Sequence, residues 1–142
     1  MEQIREWVVL GILCWNCYTD IRRKKISLFS VCLLAAAGII FQMADGMKIT
    51  AWALSLIPGI VMIGLSAAVR GALGLGDGLL TIGLGCCLGL AGTVQIVLTG
   101  LFLSAAAAGI DFLFIRKKGT AELPFVPFLL LGNIGRLLLW GN

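Results

Sequence analysis

The stretch "GALGLGDGLLTIGLGCCLGL", residues 71–90, sets one acid, Asp77, among glycines at the mouth of an apolar run that carries no other charge. A run of this composition belongs in a bilayer or in the interior of a helix bundle. The acid at its start needs a reason to be there, because a charge placed in hydrocarbon costs at least about 2–3 kcal/mol.

The rest of the chain reads the same way. Of its 142 residues, 60% are apolar and 13% charged, and the mean hydropathy is +1.05. A soluble domain has roughly half apolar and a quarter charged residues. With about 20 residues per crossing, the length leaves room for about five or six short spans, tight loops and no soluble domain of useful size. Breaks in hydropathy place six spans at 7–19, 28–44, 49–69, 79–92, 93–115 and 124–140. The expectation is an all-α fold, a polytopic transmembrane bundle of about six short helices, with residues 1–142 forming one integral-membrane domain. Glu2, Arg5 and Glu6 precede the first apolar run, and "CWNCYTD" has no small-residue cleavage site, so that span is expected to remain and not to be removed as a signal.

Charge sets the orientation. Arg22, Arg23, Lys24 and Lys25 follow the first span, Arg70 the third, and Arg116, Lys117 and Lys118 the fifth, so that eight of the eleven basic residues fall in alternate loops. The positive-inside rule makes those loops cytoplasmic. Arg5, Lys48 and Arg136 then lie on the outer side, and both termini face out. The net charge of +4 is accounted for by this topology and does not suggest nucleic-acid binding. Small residues spaced four apart, Gly85 with Gly89 and Ala105 with Gly109, suit close helix approach.

The absence of histidine removes Ser-His-Asp and Cys-His catalysis and the commonest zinc ligand together. The five cysteines (Cys14, Cys17, Cys32, Cys86 and Cys87) all lie in apolar segments, where cysteine acts as a small hydrophobe, and no disulfide framework is expected. The C-x-x-C spacing of Cys14 and Cys17 has no second pair and is read as core packing, with no metal or cofactor expected.

What remains is carboxylates. Asp20 closes the first span as the chain leaves for the cytoplasm, and Asp77 opens the fourth as it returns, so two acids 57 positions apart share one leaflet and one depth. If the two spans pack together, like charges a few ångströms apart cannot both ionise, and the pair holds one proton near neutral pH. An ionised carboxylate can then take a proton from water while its protonated partner polarises a peptide carbonyl. Gly74 and Gly76 would let an extended substrate lie against the loop. A plainer reading also stands: a flexible loop that starts a helix, with Asp77 as its cap.

Three elements resemble the type IV prepilin peptidases, GxGD-type intramembrane aspartyl proteases: "YTDIRRKKISL" (18–28) for the Asp-x-Arg segment with its following isoleucine, "GLGD" (74–77) for GxGD, and "LPFVPFLLLG" (123–132) for the late Pro-Phe-x-Pro segment. The resemblance implies a bacterial cytoplasmic-membrane enzyme that removes the short basic leader from prepilin or pseudopilin precursors at the cytoplasmic face. It makes Asp20 and Asp77 the catalytic dyad and Gly74 and Gly76 the motif loop, and has Pro124 and Pro127 shape the start of the last span. Two departures stand out. Leu79 occupies a position where the family often has lysine, and no N-terminal region with cysteine pairs precedes the first span. The chain therefore resembles the short, peptidase-only members of Tad/Flp-type pilus systems, with no N-methylation expected.

Other residues have simpler readings. Asp111 is expected to pair with Arg116, Lys117 or a neighbouring helix, Glu122 to be a solvated loop charge, and Trp7, Trp52 and Trp140 to anchor at the interface. The "RRKK" run attracts anionic headgroups, and it would repel a basic leader unless lipid or acidic groups screen it. Two other functions use the same residues: a small transporter or channel subunit in which Asp20, Asp77 or Asp111 relays protons or binds a cation, and an assembly factor of the same fold without activity, which Leu79 makes conceivable. Transport would want acids near the bilayer midplane.

Overall fold

The computed structural model describes residues 2–23, 26–46, 48–68, 74–114 and 124–140, and among these the regular structure is entirely helical. Six elements follow in order: α1 (Glu2–Arg23), α2 (Leu28–Ala44), α3 (Ile49–Ser55), α4 (Ile57–Ala68), α5 (Leu75–Phe114) and α6 (Val126–Trp140). The all-α expectation holds, while the boundaries move. The first span is 22 residues long, extended at both ends by polar turns: Glu2 opens it and Arg22 and Arg23 close it, each charge complementing the helix dipole at its own end. The third span is split, because Pro58 in the first turn of α4 cannot continue the hydrogen-bond ladder of α3. Lys24, Lys25, Arg70, Arg116, Lys117, Lys118 and Glu122, and the side chains of Asp111 and Trp140, lie outside the described residues.

The fourth and fifth expected spans are two arms of α5, and they part at Gly89, not between Gly92 and Thr93. Gly89 has φ 71° and ψ −176°, a conformation that only glycine adopts without strain. The pairings on either side show that the break reverses the chain. Asn16 bonds to Ser30 and Arg5 to Asp45, so α1 and α2 are antiparallel. Leu34 faces Gly83 and Gly38 faces Cys86, so α2 and the first arm of α5 run together, while Gly59 against Ile82 and Gly78 against Ile63 make α4 antiparallel to that arm. Val126 meets Asp20 and Arg136 meets Glu6, so α6 opposes α1. Gly100 lies against Leu129 and Gly132 against Ile96, so α6 also opposes the second arm. The two arms of α5 therefore run in opposite directions, and the helices alternate through the bundle.

Backbone proximity holds the first arm in place. A Cβ on Gly38, Gly59, Gly78 or Gly85 would overlap atoms of Cys86, Ile82, Ile63 or Ser55, respectively, which is the close approach that small residues permit between helices. Gly85 serves as expected; Gly109 faces open space. Val9, Leu13, Leu34, Leu80, Leu84, Ile96, Val126 and Leu129 form a sealed core between α1, α2, α5 and α6. Large apolar side chains such as Trp7, Phe29, Met43, Ile49 and Phe102 stand exposed on the outside. Ile49–Ala68 and Leu75–Ile110 each contain a window long and apolar enough to cross a membrane.

Polar side chains close the end of the bundle where α5 turns. The reversal strands the last carbonyls of the first arm, and Gln42 from α2 donates its Nε2 to Cys86 O at 2.8 Å. Beside it Arg5 holds Asp45 at 3.0 Å, and Arg136 pairs with Glu6. Of the three basic residues expected at the outer end, Arg5 and Arg136 are thus engaged in ion pairs.

These close approaches make a stability prediction. Gly85→Ala drives a methyl into the Ser55 carbonyl and should cost about 1–3 kcal/mol, as overpacking does; Gly64→Ala, with nothing within 4 Å of its added carbon, should be neutral or gain up to ~1 kcal/mol from helix propensity. Thermal unfolding of the two variants in the same detergent measures the contrast, and equal midpoints would contradict the packing described.

Candidate active site

At the end of the bundle opposite the α5 reversal, the close of α1 meets the starts of α5 and α6. This brings together residues that are far apart in sequence. Asp20 is buried on the inner face of α1 at 8% exposure, and Asp77 is buried in the first turn of α5 at 7%. Asp20 is near enough for its charge to act on Asp77. The two acids, 57 positions apart in sequence, thus lie at the same end of the bundle.

Each carboxylate is met by a backbone amide. Val126, the first residue of α6, donates its N–H to Asp20 Oδ2 at 3.4 Å. That amide is one of the unpaired donors at a helix start, where the dipole also favours negative charge. The prolines are placed to make it available. Pro124 precedes the helix, and Pro127 occupies its first turn, where a missing N–H removes no intrahelical bond. Phe125 O accepts from Phe128 and Leu129 and closes the turn. The late proline segment thus shapes the start of α6, as the sequence suggested, and its contribution to the acid pair is a main-chain donor.

Asp77 is held by its own loop. Gly74 N–H donates to Asp77 Oδ2 at 3.2 Å, and Asp77 N–H returns to Gly74 O at 3.0 Å. This is the returning half of a capping box, with the acid in the third helical position reaching back to the residue before the helix. The capping reading of Asp77 is therefore realised in the geometry, and it coexists with the pairing to Asp20. Thr81, one turn on, donates its hydroxyl to Asp77 O at 2.7 Å.

Gly76 has a steric duty. A Cβ there would lie 3.0 Å from Cβ of Ile26 and 3.1 Å from its Cδ1, tighter than ordinary contact. The isoleucine that follows Asp20 in the first motif thus packs directly on the glycine that precedes Asp77 in the second. Leu79 is half-buried against the core and brings no charge to the pair.

Among the described residues the ion pairs involve Arg5 and Arg136 with Glu2, Asp45 and Glu6, and neither Asp20 nor Asp77 takes part. Arg22, two residues beyond Asp20, lies with its guanidinium carbon 5.4 Å from the Tyr18 ring centroid. Within the described part of the basic run, Arg22 therefore lies over an aromatic ring and not against either acid. No group of three or more potential metal ligands occurs among the described residues.

Three features escaped the sequence reading. Asn16, one turn before Asp20, is fully buried; its Oδ1 accepts from Ser30 Oγ at 2.7 Å and its Nδ2 donates to Ile12 O at 2.9 Å. A buried asparagine inside an apolar run was the available signal. The Val126 amide carries no side-chain signature at all. Cys14 was expected in the core and stands exposed, with Cys17 half-buried. A cavity of about 180 Å³, lined by Ile39, Gln42, Met43, Ile49 and Trp52, lies at the other end of the bundle and not at the acids.

No curated protein and no solved structure matches the chain. The model of the type IV leader peptidase family matches residues 7–110, a span that holds Asp20, Gly74, Gly76 and Asp77 and stops short of the proline segment that the fold brings to Asp20. With most of its length matched, the chain belongs to the type IV leader peptidase family.

Proposed function

We propose that the protein is an intramembrane aspartyl endopeptidase that removes the short basic leader from prepilin or pseudopilin precursors. The observation that carries the reading is that Asp20 and Asp77 are both buried at the same end of the bundle, within electrostatic reach of each other, in a chain of the leader peptidase family. Membership supports a peptidase acting on leader sequences. The positions of the acids supply a chemistry that needs neither histidine nor metal.

The two carboxylates share one proton. The ionised one takes a proton from a water whose oxygen bonds to the scissile carbonyl carbon, and the protonated one donates its hydrogen bond, then its proton, to the carbonyl oxygen. As the tetrahedral intermediate collapses, the carbonyl re-forms, its proton returns to the pair, the C–N bond breaks, and the leaving amine takes the proton first drawn from water. Val126 and Gly74 hold one oxygen of each acid by main-chain donors, which fixes direction without adding a competing charge. We place the acids at the cytoplasmic boundary of a multi-pass bundle, on the side marked by the basic loops, so that a leader is cut before its hydrophobic helix. The same shallow position argues against a midplane proton or cation relay.

The test is leader removal from a pilin-like precursor co-expressed with the protein and read by mass. Asp20→Asn and Asp77→Asn keep side-chain size and should each slow cleavage at least about 100-fold, the usual scale of lost acid–base catalysis, while still accumulating in membranes. Cleavage at the wild-type rate by either variant would sink the two-aspartate mechanism. A silent wild type across several precursors would instead favour a transporter or an inactive assembly factor.

A shared proton also sets the pH response. Cleavage by purified protein in detergent should follow a bell-shaped profile, falling in acid as both carboxyls become protonated and in alkali as both ionise. A single sigmoid would mean that one acid alone titrates in the reaction.

A further inference from the structure

A buried hydrogen bond between Asn16 and Ser30 joins α1 to α2. Asn16 lies four residues before Asp20, on the same face of α1. It is sealed from solvent at 0% exposure, and Ser30 is at 5%. The Ser30 hydroxyl reaches Asn16 Oδ1 at 2.7 Å and Ser27 O at the same distance, so its single proton is shared between α1 and the residue that caps α2. Asn16 Nδ2 is anchored on Ile12 O, which fixes the orientation of the side-chain amide.

The consequence passes along α2. Ser27, whose carbonyl accepts from Ser30 Oγ, directly follows Ile26, and Ile26 is the side chain packed on Gly76, next to Asp77. Along the helices and across these two contacts, Asp20 is therefore linked through Asn16, Ser30 and Ile26 to Gly76 and Asp77. In a bundle that is apolar on most faces, a helix can slide or rotate with little change in buried area, and an interhelical hydrogen bond is what specifies one register.

We propose that Asn16 and Ser30 are positioning residues that clamp α1 to α2, so that Asp20 and the Ile26 wedge against Gly76 keep the two carboxylates at their working separation. The inference rests on the reading of Asp20 and Asp77 as the dyad of a leader peptidase. Neither clamp residue touches the reacting atoms; their effect is transmitted through helix register and through Ile26.

The experiment is steady-state cleavage of a pilin-like precursor by purified wild type, Ser30→Ala, Asn16→Ala, the double variant, Ser30→Thr and Ile26→Ala, with thermal midpoints measured alongside. Ser30→Ala should lower kcat roughly ten- to hundredfold, the scale on which small displacements act, with KM within about twofold of wild type because no substrate contact is lost. The double variant should be little slower than either single one, since the two act as a unit, and Ser30→Thr, which keeps the hydroxyl, should retain more activity than Ser30→Ala. The pH profile of the alanine variants should be a narrower bell, because acids moved apart couple less strongly and titrate closer together. Should Asn16→Ala fail to accumulate, Ser30→Ala and Ile26→Ala decide the matter. Wild-type kcat and an unchanged bell in both Ser30→Ala and Ile26→Ala would overturn the clamp while leaving the dyad standing. A wild type that cuts no precursor would overturn the dyad, and the clamp with it.

Discussion

A carboxylate buried among aliphatic side chains is tolerated only where donors meet it, and here the donors come from the backbone where helices begin. Val126 at the start of α6 serves Asp20, and Gly74 at the mouth of α5 serves Asp77. Helix starts have unpaired amides in any case, so gathering two of them around two acids satisfies all four groups together. The rest of the architecture brings the close of α1, the start of α5 and the start of α6 to one end. A lysine or arginine in place of these amides would hold the acids more tightly and would also quench the proton sharing on which the proposed acid–base chemistry depends.

Bringing those ends together requires an even alternation of helices, and the alternation hinges on Gly89. Without a reversal inside the long element 75–114, α6 would begin at the wrong end, and Val126 could not reach Asp20. The turn leaves carbonyls without intrahelical partners, and Gln42 donates to Cys86 O, while the charged groups of that end neutralise one another as Arg5 with Asp45 and Arg136 with Glu6. The bundle is thereby polar at both ends for different reasons. One end is pinned by ion pairs that tie α1 to α2 and α6; the other holds acids with no described basic partner.

Glycine makes the middle of the bundle possible. The first arm of α5 lies so close to α2, α3 and α4 that four positions admit only a hydrogen. The core side chains of α1 and α6 then fill the remaining space. Such contacts between backbones are rigid, which is what the proposed chemistry of the two acids requires.

The amino-acid sequence alone determined the fold class and pointed to the acids on which the proposed chemistry rests. Hydropathy counted the helices, and the scarcity of charge made Asp20 and Asp77 conspicuous. The glycines and prolines at 74, 76, 124 and 127 marked where helices had to start, because an amphipathic or apolar pattern, a stranded acid and a chain breaker are each visible in one dimension. Tertiary structure decided the rest. Any of Gly83, Gly85, Gly89 or Gly92 could have carried the reversal; packing of the two arms on different partners selected Gly89. That Ile26 packs on Gly76, that Asn16 faces Ser30, that Cys14 points outward and that Val126 turns its amide to Asp20 all depend on how each helix is rotated about its axis. Rotation is what a helix apolar on most of its faces leaves unspecified, and only the hydrogen bonds and backbone contacts made after the helices meet can choose it.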